Sequence, residues 1–189
     1  MINWTVDKER LQQEAQKIDS SIKLITKDGL FWKMIAWVLF IFSFGHFKQE
    51  TFLKVFATTL GNYQAYPKEW SIESVESVMI HESRHTYQAR LCGFGTHPLA
   101  GLPIMALLYI FLPFPILIAF PRFFLELDAE KAAWRYGLKK GTMSPNDVRL
   151  DAQRLANLLS SSAYLWPVWN SFAKKYYMAA AEEIIKANI

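Results

Sequence analysis

The stretch SIESVESVMIHESRHTYQARLC, residues 71–92, predicts the central helix of this chain. Its first half carries apolar residues at three- and four-residue steps, as is typical of a helix with one buried face: Ile72, Val75, Met79 and Ile80. Gly93 and Gly95 follow directly, and glycine is typical of a helix end. The segment HESRH, residues 81–85, is therefore expected inside a helix.

The spacing of the two histidines in this segment indicates a metal site. His81 and His85 are four residues apart, so in a helix their side chains project from nearly the same face. Two imidazole nitrogens placed in this way suit one tetrahedral zinc ion. Glu82 lies about 100 degrees around the helix, where a carboxylate can act as a general base on a water molecule near the metal.

A catalytic zinc site needs a third protein ligand, and the segment FFLELDAEKAAW, residues 123–134, offers Glu126. Glu126 and Glu130 share one face of a second predicted helix, so one carboxylate can bind the metal while the other supports a zinc-binding histidine by a hydrogen bond. The alternative is that both glutamates are solvated and pair with basic residues of the same helix: Arg122, Lys131 or Arg135.

Together the two motifs resemble the gluzincin metallopeptidases, in which His-Glu-x-x-His is followed by Glu-x-x-Ala-(Asp/Glu)-x-x-Ala. Residues 126–133 read ELDAEKAA. The resemblance, which covers about residues 58–136, implies zinc as the cofactor and a peptide or protein as the substrate. The roles it implies are zinc binding for three side chains, general-base catalysis for Glu82 and support of a ligand for Glu130, where the family more often has aspartate. The implied zinc ligands are His81, His85 and Glu126.

The whole sequence predicts an α+β fold, mostly helical, with one small antiparallel sheet. We interpret residues 1–189 as a single zincin-like domain. Helices are expected over about Thr5–Lys27, Ser71–Cys92, Arg122–Tyr136, from Ser144 to Leu159, and over Val168–Lys186. Strands are expected over Val38–Phe47, Phe52–Leu60 and Tyr63–Tyr66, joined as an antiparallel meander with a turn at Gly61-Asn62.

The resemblance also implies an edge strand beside the active-site helix, which would hold an extended peptide by main-chain hydrogen bonds. The segment TTLGNYQAYP, residues 58–67, is suitably placed, although an ordinary core hairpin explains it equally well. Hydrolysis further needs a donor that stabilises an oxyanion. The sequence leaves that donor open among three residues: Tyr164, His97 and Tyr136.

Charge and cysteine content restrict the partners and the location. The formal net charge is +4, but the basic residues are scattered, so we expect no nucleic-acid partner. Cys92 is the single cysteine, which excludes an intramolecular disulfide and favours a reducing compartment. The first thirty residues are charged throughout and predict no secretory signal. The pattern is also similar to small bacteriophage proteins. A cytoplasmic or virion-associated location is therefore favoured, with a peripheral membrane location as the alternative.

The segment Leu99–Pro121 contains no charged residue and is long enough, at about twenty residues, to cross a bilayer. A single crossing would separate His85 from Glu126, so it is incompatible with the predicted zinc site. We therefore expect this segment to be buried or covered by a partner, in preference to membrane contact. It also motivates a second hypothesis, a structural or interaction protein that docks on a larger protein assembly or a membrane surface through this segment.

Overall fold

The computed structural model describes residues 4–42, 45, 48–108, 115–161 and 168–188. Helices predominate beside one small sheet, which confirms the α+β class. The helices are α1 (Trp4–Ile18), α2 (Leu30–Phe42), α3 (Gln49–Lys54), α4 (Ile72–Cys92), α5 (Leu102–Ala106), α6 (Pro115–Lys140), α7 (Pro145–Leu159) and α8 (Asn170–Asn188), with a 3-10 turn at Pro98–Gly101. The strands are β1 (Lys23–Thr26), β2 (Thr58–Leu60) and β3 (Tyr63–Tyr66).

The chain divides into two compact units, Met1–Met105 and Ala106–Ile189. The first unit contains the sheet and helices α1 to α4, and the second contains helices α6 to α8. The interpretation of residues 1–189 as one functional domain stays a prediction.

The sheet of the first unit is mixed, so the predicted antiparallel meander is wrong in one of its pairs. The strand order is β1-β3-β2, with β1 parallel to β3 and β2 antiparallel to β3. The predicted β2–β3 turn is confirmed. At its Gly61, φ is +63°, and a Cβ atom would lie 2.7 Å from a methyl carbon of Leu99, so the turn requires glycine.

The first helix ends earlier than expected, at Ile18, because side chains offer the backbone other partners there. The Asp19 carboxylate accepts hydrogen bonds from the main-chain nitrogen of Ser21 at 2.9 Å and from Arg90 Nε at 2.9 Å. The chain then turns, and the part of the expected helix that contains Ile25 forms strand β1 instead. That strand is the one that pairs in parallel with β3.

The predicted strand over Val38–Phe47 is wrong for its first half, because Leu30–Phe42 forms helix α2. Trp32 and Ala36 are buried against Phe52 and Ala65, and this four-residue spacing is helical. Most of the second expected strand is also replaced, since α3 occupies its start and only Thr58–Leu60 is extended. Residues 43, 44, 46 and 47 lie outside the described residues.

The predicted central helix is confirmed as α4. It begins after Ser71, whose hydroxyl accepts a hydrogen bond from the main-chain nitrogen of Ser74 at 3.2 Å, as an N-cap does. Its residues Ile72, Val75 and Met79 pack in the core of the first unit. Their partners come from α1, the turn after it and the sheet: Leu11, Ala15, Ile22, Leu24 and Tyr66. Near its end the chain returns so closely that a Cβ on Gly101 would lie 1.8 Å from the carbonyl oxygen of Ala89.

The helices of the second unit are confirmed, with one extension. Helix α6 starts at Pro115 and runs through Gly137 to Lys140, whereas the sequence predicted Arg122–Tyr136. Helix α7 begins at the expected residue, since Ser144 and Asp147 form a reciprocal capping box. The core of this unit is aromatic and aliphatic, and its largest fully buried side chains are Phe123, Trp134, Val148, Tyr177 and Ile184.

Within the part of the chain that the structure describes, no helix has both the length and the apolar character needed to span a bilayer. Of the apolar segment 99–121, residues 99–108 form the 3-10 turn, α5 and the residues after it, and residues 115–121 open α6. Residues 109–114 lie outside the described residues. What this segment contacts stays a prediction.

Candidate metal centre

The two motif histidines lie on successive turns of α4, and their Nε2 atoms face each other. His81 Nε2 and His85 Nε2 are 2.9 Å apart, and the ring planes meet at 81°. Two nitrogens that bind one tetrahedral zinc ion at about 2.0–2.1 Å lie about 3.3 Å apart. A widening of a few tenths of an ångström therefore brings this pair to the spacing of zinc ligands.

Gln88 orients the ring of His85. The amide oxygen of Gln88 lies 2.8 Å from His85 Nδ1, and because an amide oxygen can only accept, Nδ1 carries the proton. In a neutral imidazole with this hydrogen bond, the lone pair lies on Nε2, the nitrogen that faces His81, which is the form that binds a metal. No sequence motif marks Gln88, although its position three residues after His85 on the same helix is a signal for such a contact.

Glu82 is a buried carboxylate that the edge strand holds in place. Thr59 Oγ1, on β2, donates to Glu82 Oε2 at 2.6 Å and also lies 3.1 Å from the Glu82 main-chain oxygen. The strand β2 is at one edge of the described sheet. The expected edge strand beside the motif helix is thus present, and it contacts the general-base candidate directly.

Lys27 places a buried amine near Glu82. Its ammonium donates to the main-chain oxygen of Phe56 at 2.8 Å and to Thr58 Oγ1 at 2.5 Å, and it lies 3.9 Å from the centre of the Phe52 ring. Burial lowers the pKa of Lys27 to about 7, while the negative charge of Glu82 acts in the opposite direction. No sequence motif marked this lysine.

Buried hydrogen bonds also fix α4 on the sheet. Gln64 of β3 donates to Ser83 Oγ at 3.1 Å and accepts from the Tyr66 hydroxyl at 2.9 Å. Ser83 in turn donates to the main-chain oxygen of Met79 at 2.7 Å. Burial and the charge of Glu82 raise the pKa of Tyr66 well above its usual value, so Tyr66 is a neutral donor. The helix face next to the motif is therefore rigidly oriented.

Glu126 and Glu130 belong to the second unit, where they lie one turn apart on α6 and are half-buried. Arg122 Nε lies 4.0 Å from Glu126 Oε1, as the alternative reading of this helix expects. Lys131 instead reaches Glu183 of α8, at 2.9 Å. Zinc binding by Glu126 and support of a ligand by Glu130 stay predictions.

The three candidate oxyanion donors have different settings. His97 caps the 3-10 turn, and its Nδ1 accepts from the main-chain nitrogen of Leu99 at 3.2 Å. Tyr136 is half-buried on α6, with the ammonium of Lys140 5.5 Å from its ring centre. Tyr164 lies outside the described residues. The choice among them stays open.

No protein-family model, curated protein or solved structure matches the chain. The likeness to gluzincins therefore rests on its two sequence motifs, HESRH in α4 and ELDAEKAA in α6.

Proposed function

We propose that this chain is a zinc-dependent metallopeptidase with a zincin-like fold. The observation that carries the proposal is the pair of facing Nε2 atoms of His81 and His85, next to the buried carboxylate of Glu82. These histidines and Glu126 would hold the metal, since each offers one ligand atom of a kind that zinc binds. When bound, zinc would supply Lewis-acid activation of water and of the scissile carbonyl.

The role of Glu82 is to accept a proton from the attacking water and pass it to the leaving amine. Thr59 holds Oε2 of this carboxylate, which leaves Oε1 to take the proton. Burial strengthens this arrangement, because a carboxylate with little water around it interacts more strongly with a nearby proton donor. A purely structural metal site would have no use for such a base.

An extended peptide is the substrate class that the edge strand favours. Strand β2 is paired with β3 on one side only within the described sheet, so its outer edge offers main-chain donors and acceptors to a peptide. Thr59 lies on this strand and also holds Glu82. A peptide paired with β2 would therefore be positioned relative to the general base.

The proposal is tested by zinc analysis and cleavage of labelled casein with the purified chain. Glu82→Gln should keep zinc and lose at least about 100-fold of the hydrolysis rate, because the amide cannot accept the proton. His81→Ala should lose both zinc and activity. His97→Ala is the matched control for zinc content and should keep the metal, since that histidine caps the 3-10 turn.

Two further variants test the ligand and the supporting residue on α6. Glu126→Gln should abolish zinc retention on dialysis, while Glu130→Gln should weaken zinc affinity by about 10-fold or more. If the wild type binds no zinc, the metal site is wrong. If wild type and Glu82→Gln both retain zinc and neither cleaves any protein, the enzyme is excluded and an interaction protein that keeps this helix becomes the better explanation.

A further inference from the structure

The amine of Lys27 joins three segments of the first unit. Lys27 follows strand β1, and its main-chain nitrogen donates to the Tyr66 oxygen of the central strand β3 at 2.9 Å. The residue is only 4% exposed. Its ammonium donates to the main-chain oxygens of Phe52 at 3.2 Å and Phe56 at 2.8 Å, and to Thr58 Oγ1 at 2.5 Å. A single buried nitrogen thus connects the end of β1 with α3 and with the start of β2.

These acceptors suit an ammonium group. A buried charge is costly unless its donors are satisfied, and the three acceptors match the three N–H donors of a protonated lysine. Phe52 lies in the last turn of α3, where main-chain oxygens have no donor within the helix and a nearby cation is favourable. The Thr58 hydroxyl gives its own proton to the main-chain oxygen of Ala57 at 2.8 Å, so it is free to accept from Lys27.

Strand β2 lies between Lys27 and Glu82. Neighbouring residues of a strand point to opposite faces, and the contacts of the two threonines follow this rule. The Thr58 hydroxyl binds Lys27, whereas the Thr59 hydroxyl donates to Glu82 Oε2 at 2.6 Å. A shift of β2 on the Lys27 side would therefore move Thr59 and, with it, the carboxylate of Glu82.

Loss of the Lys27 proton to solvent would weaken this contact. A neutral amine has one N–H donor fewer, so one of the three acceptors loses its hydrogen bond, or the Thr58 hydroxyl has to turn from Ala57 toward the amine nitrogen. Burial lowers the pKa of Lys27 to about 7, while the charge of Glu82 acts against this change. Both protonation states are therefore accessible near neutral pH.

Few charges on the neighbouring elements reach this amine. Glu82 of α4 is buried, and its negative charge favours the ammonium form. The Tyr66 hydroxyl of β3 is neutral, because its pKa is raised well above its usual value. The charged side chains of β1, α2 and α3 are exposed: Lys23, Lys33, Glu50 and Lys54. Burial and Glu82 therefore govern the protonation of Lys27.

We propose that Lys27 is a positioning residue for Glu82: its ammonium fixes strand β2 from the opposite face, and Thr59 passes this placement on to the carboxylate. The effect on catalysis rests on the proposed metallopeptidase activity, whereas the anchoring of β2 does not. Release of the proton from Lys27 loosens the strand, so the general base is held less precisely above neutral pH.

Amide hydrogen exchange of the full chain tests the anchor without any hydrolysis. In Lys27→Met, residues 58–60 should exchange about 10-fold faster than in the wild type at about pH 6.5, because local opening of β2 becomes easier. This ratio should shrink at about pH 8.5, where the wild type has also released the proton. Lys23→Met is the matched control, since Lys23 lies on β1 with an exposed side chain, and it should exchange as the wild type does.

A second variant keeps the test decisive if Lys27→Met folds poorly. Thr58→Val keeps the shape of the side chain but removes the hydroxyl that accepts from Lys27. It should also speed exchange in residues 58–60, and combining it with Lys27→Met should add little, because the two changes remove the same contact. Exchange in residues 58–60 that neither variant changes would overturn the anchor.

Hydrolysis of labelled casein tests the effect on Glu82. Lys27→Met and Thr58→Val should lower kcat by about 10-fold at about pH 6.5 with KM and zinc content unchanged, and the loss should shrink at about pH 8.5. Faster exchange with unchanged kcat would overturn the positioning role. A wild type that hydrolyses nothing contradicts the metallopeptidase, and with it the role toward Glu82, while the exchange result still decides whether Lys27 anchors β2.

Discussion

The two units of this chain have interiors of different chemistry. Among the described residues, every buried polar or charged side chain lies in the first unit: Lys27, Asn62, Gln64, Glu82, Ser83, His85, Thr86 and Gln88. The described core of the second unit consists of aromatic, aliphatic and alanine side chains. The interior of the first unit thus has the polar character that is typical of binding sites. The described interior of the second unit has the apolar character of an ordinary helical core.

This difference places most of the side chains of the proposed chemistry in the first unit. Burying a polar group costs free energy unless it finds a hydrogen-bond partner. In the first unit such partners are present, for example Ser83 for Gln64 and Thr59 for Glu82. These bonds fix side-chain directions at the expense of the stability that apolar residues would give. The described core of the second unit holds no such polar network and is stabilised by apolar packing.

The largest effect that the comparison predicts is on the stability of the second unit. Trp134 is fully buried, and its indole nitrogen donates to Asp151 Oδ2 at 2.9 Å. Trp134→Ala should lower the free energy of unfolding by about 3–5 kcal/mol, measured by urea denaturation, because it leaves a cavity. The exposed control Leu150→Ala should change it by less than about 0.5 kcal/mol. Similar losses in both variants would refute an apolar packed core.

The next effect is a dependence of the free energy of unfolding on pH, which arises in the first unit. Burial lowers the pKa of Lys27 to about 7, compared with 10.5 for an ordinary lysine. Between these values the unfolded chain binds a proton that the folded chain has released. Stability should therefore rise with pH in this window, by up to about 1.4 kcal/mol per pH unit. Below this pH window, Lys27 is protonated in both the folded and the unfolded state, so its contribution to the free energy of unfolding is constant.

Lys27→Met should remove this slope, measured as urea denaturation at several pH values from about 7 to 9. The control is Lys54→Met, since Lys54 is exposed and its pKa is raised by its hydrogen bond to Glu50. That lysine stays protonated in both states across the window, so its loss should leave the slope in place. An unchanged slope in Lys27→Met would show that the ammonium is not desolvated.

The smallest effect concerns the link between the edge strand and the proposed base. Thr59→Val keeps the side-chain shape but removes the hydrogen bond to Glu82. A hydrogen bond to a charged group contributes about 1.5–3 kcal/mol, so hydrolysis should fall by about 10-fold or more while zinc content stays the same. Thr51→Val, on α3, is the control and should retain activity. Equal rates in the two variants would mean that Thr59 does not orient Glu82.

Local signals in the sequence determined several elements correctly. Helix α4 follows from its apolar spacing, its serine cap and the glycines beyond it, and α7 follows from Ser144, Pro145 and Asp147. The facing histidines follow from their four-residue spacing. Each of these signals acts between residues only a few positions apart, and such interactions survive in almost any tertiary context.

Helix α2 shows where local signals fail. Its aromatic and branched residues favour a strand, but Trp32 and Ala36 bury one helical face against Phe52 and Ala65. Packing with residues distant in the sequence overrode the local preference. The same reason accounts for the parallel pairing of β1 with β3, which joins residues about forty positions apart, such as Leu24 and Gln64.

What the sequence by itself determined is the α+β class, the motif helix and the histidine pair within it. Only the tertiary structure decided which side chains surround the general-base candidate. Thr59 is 23 positions from Glu82, and Lys27 is 31 positions from the Thr58 hydroxyl that holds it. Contacts of this range depend on how the strands and helices pack, and no local pattern of residues encodes them.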